Sequence, residues 1–183
     1  GGSPAVWADA GGGLSEYDQW TVTETSPANG QNINGWDYND AWGSSNTPAT
    51  VNLARVTTTQ NPLFAKIGTG VAVDSNGYWS FPSTGYWEIK FTPIFKGQYG
   101  QRNTNAYIRV TSDGGSTWNT AVSSPAETAN SNSVTIIQPL TTLLNITNIT
   151  NQKMYVSCYI EDGGLIPGDP NQIQTNIIFK KVA

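Results

Sequence analysis

Between Gly85 and Thr92, apolar and polar side chains alternate without a break. Trp87, Ile89 and Phe91 fall on one side, and Tyr86, Glu88, Lys90 and Thr92 on the other. A period of two is that of a half-buried strand, so the first set is expected to enter a core. The pattern recurs at Ala106, Ile108 and Val110 with Tyr107 and Arg109 opposite, and at Met154, Val156, Cys158 and Ile160 with Tyr155, Ser157 and Tyr159 opposite. Segments 14–25, 51–56 and 172–182 read as further strands, 64–73 as another broken by Gly68 and Gly70, and 134–146 as two short strands bent at Pro139. Two Gly-Tyr-Trp triplets, at 77–79 and 85–87, flank Pro82-Ser83-Thr84, which is turn chemistry. Segment 75–95 is therefore expected to be two strands meeting at a corner. No window places apolar residues at i, i+3, i+4 and i+7 behind a cap, so almost no helix is predicted. Eight to ten strands within about 170 residues imply an all-β fold, a two-sheet antiparallel sandwich or jelly roll.

Composition narrows the function classes. The glycine-rich segment 1–13 is read as a flexible N-terminal arm and 14–183 as a single domain, and the Gly-Gly-Ser-Pro opening without methionine as either a processed start or an artificial boundary. Only 12% of residues are charged, while seven tryptophans and eight tyrosines sit among abundant Gly, Asn, Ser and Thr. Nine bases are scattered against thirteen acids, so nothing tracks a phosphate backbone and nucleic acid is not an expected partner. No apolar run reaches the roughly 18 residues of a membrane span, so no membrane insertion is expected. The lone Cys158 allows no internal disulfide, and its inward parity makes it inert core. There is no histidine, which removes the usual neutral-pH general base.

Several motifs bear on chemistry. Segment 26–47 is a long polar loop holding Trp36, Tyr38 and Trp42, which either form a glycan-binding platform or close the open end of the sandwich. Segment 111–118 resembles an Asp-box of the kind seen in sialidase propellers. Asp113 is expected to cap its own turn, Gly115 to take a positive φ, and Trp118 to pack beneath. A single copy makes this a structural hairpin, not a propeller. Glu88 and Lys90 read as a solvated pair. Glu161, Asp162 and Asp169 lie in turns and offer the oxygen ligands Ca²⁺ prefers, without the Asp-x-Asp-x-Asp-Gly spacing of a dedicated loop. No metal site or cofactor is therefore assigned. Hydrolase, phosphate-loop and dinucleotide fingerprints are absent, and the expectation is a protein that is not an enzyme. Two sequons begin at Asn145 and Asn148, relevant only in a eukaryotic secretory route.

The segment Phe81-Pro82-Ser83-Thr84-Gly85-Tyr86 through Phe91, the strand around Ala106–Thr111, the late strand beginning Asn151-Gln152-Lys153-Met154, and the closing run Thr175 to Val182 together resemble the C1q/TNF-like jelly roll, particularly versions in structural proteins of tailed phages. The resemblance covers 64–183 well and 14–60 loosely, and Asn151-Gln152 stands where that family has Gly-Asp. It implies a tight homotrimer, with Tyr86, Tyr155, Tyr159 and Ile178 lining the threefold axis. Tyrosines are enriched in interface cores, which agrees with that placement. It further implies a non-enzymatic virion structural protein of bacteriophage type on the extracellular particle surface, for capsid decoration or fibre and tail display. Its partners would be other virion proteins and, through adhesion, surface glycans of the host. The alternative is a C1q-like or lectin-like carbohydrate-binding module of a cellular secreted protein.

Overall fold

A computed structural model of the chain describes residues 14–23, 36–37, 53–96, 103–127, 135–160 and 166–182. Among these, every regular element is a strand: β1 (Glu16–Val22), β2 (Trp36–Asp37), β3 (Leu53–Arg55), β4 (Ala72–Val73), β5 (Trp79–Ser80), β6 (Gly85–Thr92), β7 (Ile94–Lys96), β8 (Asn103–Thr111), β9 (Asn119–Glu127), β10 (Thr135–Ile137), β11 (Leu140–Ile146), β12 (Lys153–Ile160) and β13 (Asn176–Lys181). The first sheet runs β11-β6-β13-β1-β3 and is antiparallel throughout. The second runs β4-β5-β12-β8-β9, with β2 lying parallel beside β12. β7 and β10 form a separate antiparallel ribbon. The expected arm at 1–13 and most of the loop 26–47 lie outside the described residues.

Alternation places the core between the sheets. Trp87, Ile89, Phe91, Ile177 and Phe179 enter from the first, and Trp79, Ala106, Ile108, Met154, Val156 and Cys158 from the second. Trp79 bridges them: its ring centroid lies 4.9 Å from Phe179 and meets Trp20 edge-on at 4.9 Å. Full burial of such a side chain contributes about 2–3 kcal/mol. Burial also pushes the Cys158 thiol well above its ordinary pKa, leaving it protonated and inert.

Two local expectations change. Segment 64–73 is not one strand: only Ala72–Val73 pairs as a strand, while Ile67 makes an isolated bridge to Tyr17. Gly68 and Gly70 both adopt positive φ (75° and 77°) and bend the chain between them. β9 was not foreseen; it is a nine-residue edge strand whose polar sequence and internal Pro125 hide its period.

The bend is fastened to β1 by two carboxylates. Glu16 accepts hydrogen bonds from the Thr69 and Gly70 amides (3.2 and 2.9 Å). Asp18 is fully buried and accepts from Arg55 Nε and Nη2 (2.8 and 3.0 Å), Trp20 Nε1 (3.1 Å) and the Val71 amide (3.1 Å). Arg55 also donates to the Val71 carbonyl (2.8 Å) and stacks over Trp20, 4.7 Å from the ring centroid. A Cβ at Gly70 would lie 2.6 Å from Asp18 Oδ2, whereas one at Gly114, with a similar φ of 78°, would meet nothing nearer than 4.0 Å. Gly114→Ala should therefore carry only the backbone cost, about 1–2 kcal/mol. Gly70→Ala should lose at least about 2 kcal/mol more, because it disturbs a buried charge and its partners. Urea unfolding of the two variants checks this, and equal midpoints would contradict it.

Candidate functional site

The two sheets turn different surfaces outward. On the first, the positions opposite the core set are Tyr86, Glu88 and Lys90 on β6, Ile178 and Lys180 on β13, Leu143 and Asn145 on β11, and Tyr17 and Gln19 on β1. Register places Asn145 beside Tyr86, and Leu143, Glu88, Lys180 and Tyr17 in one row. Lys90, Ile178 and Gln19 form the next row. Leu143, on edge strand β11, is 59% exposed and Tyr86, near the start of β6, is 46% exposed, high values for large apolar side chains on a sheet face. Glu88 pairs across the sheet with Lys180 at 3.6 Å, not with Lys90 on its own strand.

The four residues that the resemblance assigned to one axis do not share a face. Tyr86 and Ile178 are on this first sheet, but Tyr155 and Tyr159 belong to β12 in the second. Both are buried, Tyr155 to 2% and Tyr159 to 8% exposure. Strand parity was legible in the sequence, but sheet membership depends on long-range pairing, which parity does not report. Tyr155 lies under Trp118 (4.6 Å, edge-on), with Tyr78 4.7 Å from Trp118 and 6.1 Å from Tyr155. Burial raises the Tyr155 pKa, with Arg109 pulling it down and Tyr78 pushing it up.

Trp118 is delivered by the turn between β8 and β9. Asp113 Oδ1 accepts from the Thr111 hydroxyl (2.6 Å) and the Thr117 amide (2.9 Å), and Gly115 takes a φ of 109°. A Cβ on Gly115 would touch the Trp118 ring at 3.5 Å. This is a self-capped hairpin with an indole folded onto the sheet, and nothing in it resembles a catalytic pair.

Trp36, in β2, is in backbone register with Cys158 of β12; Tyr38 and Trp42 lie outside the described residues. Asp169 caps the Asn171 amide at 2.7 Å, while Glu161 and Asp162 lie outside the described residues. No cluster of three or more His, Cys, Asp or Glu side chains suited to a metal occurs among the described residues.

Sequence reasoning passed over Leu143 and Arg109. Leu143 sits in a run of threonines and leucines with no clean alternation. Arg109 is an outward arginine on β8, stacked 5.2 Å over the Tyr107 ring. Its position between alternating core residues was the available signal.

No protein-family profile and no curated protein sequence matches the chain. Solved structures do. Eiger TNF from S. frugiperda superposes with a TM-score of 0.60 at 9% identity, over 91% of this chain and 92% of that one. Murine APRIL at pH 5.0 superposes with a TM-score of 0.55 at 9% identity, over 91% of this chain and 98% of that one. The chain thus has an all-β jelly roll of the TNF-like type.

The Asp113 turn has a pH signature. The Thr111 hydroxyl, then the Thr117 amide and hydroxyl, hold its carboxyl well below the usual aspartate range. A depressed folded-state pKa stabilises fully above the unfolded value of 3.8 and less as pH falls below it. Thermal midpoints of the wild type and Asp113→Asn should therefore differ at neutral pH, and the gap should narrow progressively as pH falls below 3.8. A constant gap would contradict the assignment.

Proposed function

We propose that residues 14–183 form one C1q/TNF-like module that is not an enzyme and works as a homotrimer, with the outward face of the first sheet packed around the threefold axis. The observation that supports this most is the pairing of exposed Tyr86 and Leu143 with half-buried Ile178 on that face. Large apolar side chains exposed on one sheet face are the composition of an interface core, and the Glu88–Lys180 pair supplies a polar surround. The jelly-roll likeness to Eiger TNF and APRIL favours a cellular recognition module over a phage component. Function would then be multivalent binding, in which three weak sites gain avidity from their fixed spacing. The virion-display reading draws on the 81–91 segment, and the genes flanking this one separate the two: capsid and tail genes would favour display and exclude the cellular module.

Sedimentation velocity at micromolar concentration should give a trimer. Tyr86→Asp should release monomers that keep the wild-type far-ultraviolet spectrum, since the side chain lies outside the core. Tyr155→Asp is not an equivalent test, because a carboxylate beneath Trp118 would disturb folding. A wild-type monomer, or a trimer undisturbed by Tyr86→Asp, would remove the assignment.

A further inference from the structure

The chain's two described arginines are used in opposite ways. Arg55 is bound internally, to Asp18 and the Val71 carbonyl. Arg109, half-buried on the outward face of the second sheet, has a buried Nε that donates to nothing. The two salt bridges among the described residues are Arg55–Asp18 and Lys180–Glu88, so Arg109 joins no carboxylate there. A buried guanidinium N–H without an acceptor is costly, and native structures seldom keep one without a reason.

Three neighbouring features point the same way. The β8–β9 register shifts opposite Ile108 and Arg109, leaving Ala121 of β9 as the extra residue, and bulges of this kind are frequent beside functional sites. The guanidinium lies over Tyr107, whose hydroxyl takes a hydrogen bond from Asn105 Nδ2 at 2.8 Å. Asn105 Oδ1 is itself a buried acceptor without a partner. A cationic fork, a tyrosine ring and an unmatched amide carbonyl thus stand in successive outward positions of one strand. Across the sheet, Arg109 is opposite Tyr155, on which partly exposed Trp118 is packed.

We infer that this face binds an anionic sugar, with the Arg109 guanidinium taking the carboxylate or sulfate and the Tyr107 and Trp118 rings flanking the pyranose. A planar guanidinium suits a carboxylate or sulfate better than a point charge does, and sugar hydroxyls both donate and accept, matching the amide beside it. The site lies on the sheet opposite the proposed threefold face, so a monomer would carry it equally.

The probe is D-glucuronate, read on the Arg109 Nε–H resonance of ¹⁵N-labelled protein, with D-glucose, glucose 6-sulfate and acetate at matched ionic strength. Glucuronate should shift that resonance saturably, at a concentration at least about tenfold below that of acetate, and glucose should not shift it. Glucose 6-sulfate in place of glucuronate would identify the sulfated source. Arg109→Gln should keep or raise the wild-type thermal midpoint and abolish the response of the backbone amides around Tyr107. Arg109→Lys, a charge without the fork, should restore only part of it. The proposal falls if neither acidic sugar gives a saturable shift, if acetate matches them, or if Arg109→Gln binds as the wild type does.

Discussion

The buried carboxylate of Asp18 is the constraint from which much of the architecture follows. It ties β1 to Arg55 in β3 and to the Val71 amide, where the chain passes from the first sheet to the second. A buried anion without these partners would be untenable, so the network admits one register for β1. That register points Trp20 inward against Trp79, which in turn meets Phe179. A slip of one residue would reverse every side chain of the strand. The outward set on β1, Tyr17 and Gln19, and its alignment with Lys180 and Ile178 on β13, are consequences of the same fastening.

From this division the two outer surfaces acquire different chemistry. The first sheet exposes separated apolar side chains around one ion pair, a surface suited to another protein surface. The second covers Tyr155 with Trp118 and, among the described residues, presents Arg109 stacked on Tyr107 opposite a bulge of β9. Assembly through one face leaves the other available, which is the geometry multivalent recognition needs.

The core was largely legible in the alternation. Trp87, Ile89, Phe91, Met154, Val156 and Cys158 are all buried, as their parity implied, and the absence of helical periodicity matches the strand-only architecture of the described residues. Parity could not say which sheet β12 joins, so Tyr155 and Tyr159 were grouped with Tyr86 although they lie on the opposite side of the core. Gly68 and Gly70 looked like interruptions of a strand, but their positive φ makes them the bend itself. Asp18 shares parity with Trp20, yet its burial was not evident because its partners lie 37 and 53 residues away. The polar run of β9 carried no apolar period, and the role of Arg109 depends on what is missing around it, which only coordinates reveal.

The central claim is that the two faces have separate roles, and hydroxyl-radical footprinting of the native protein at micromolar concentration tests it directly by peptide mass. Tyr86, 46% exposed in the isolated chain, should be shielded by assembly, while Tyr107 on the other sheet is oxidised at the rate its own exposure allows. Rapid oxidation of Tyr86 together with a shielded Tyr107 would contradict the account.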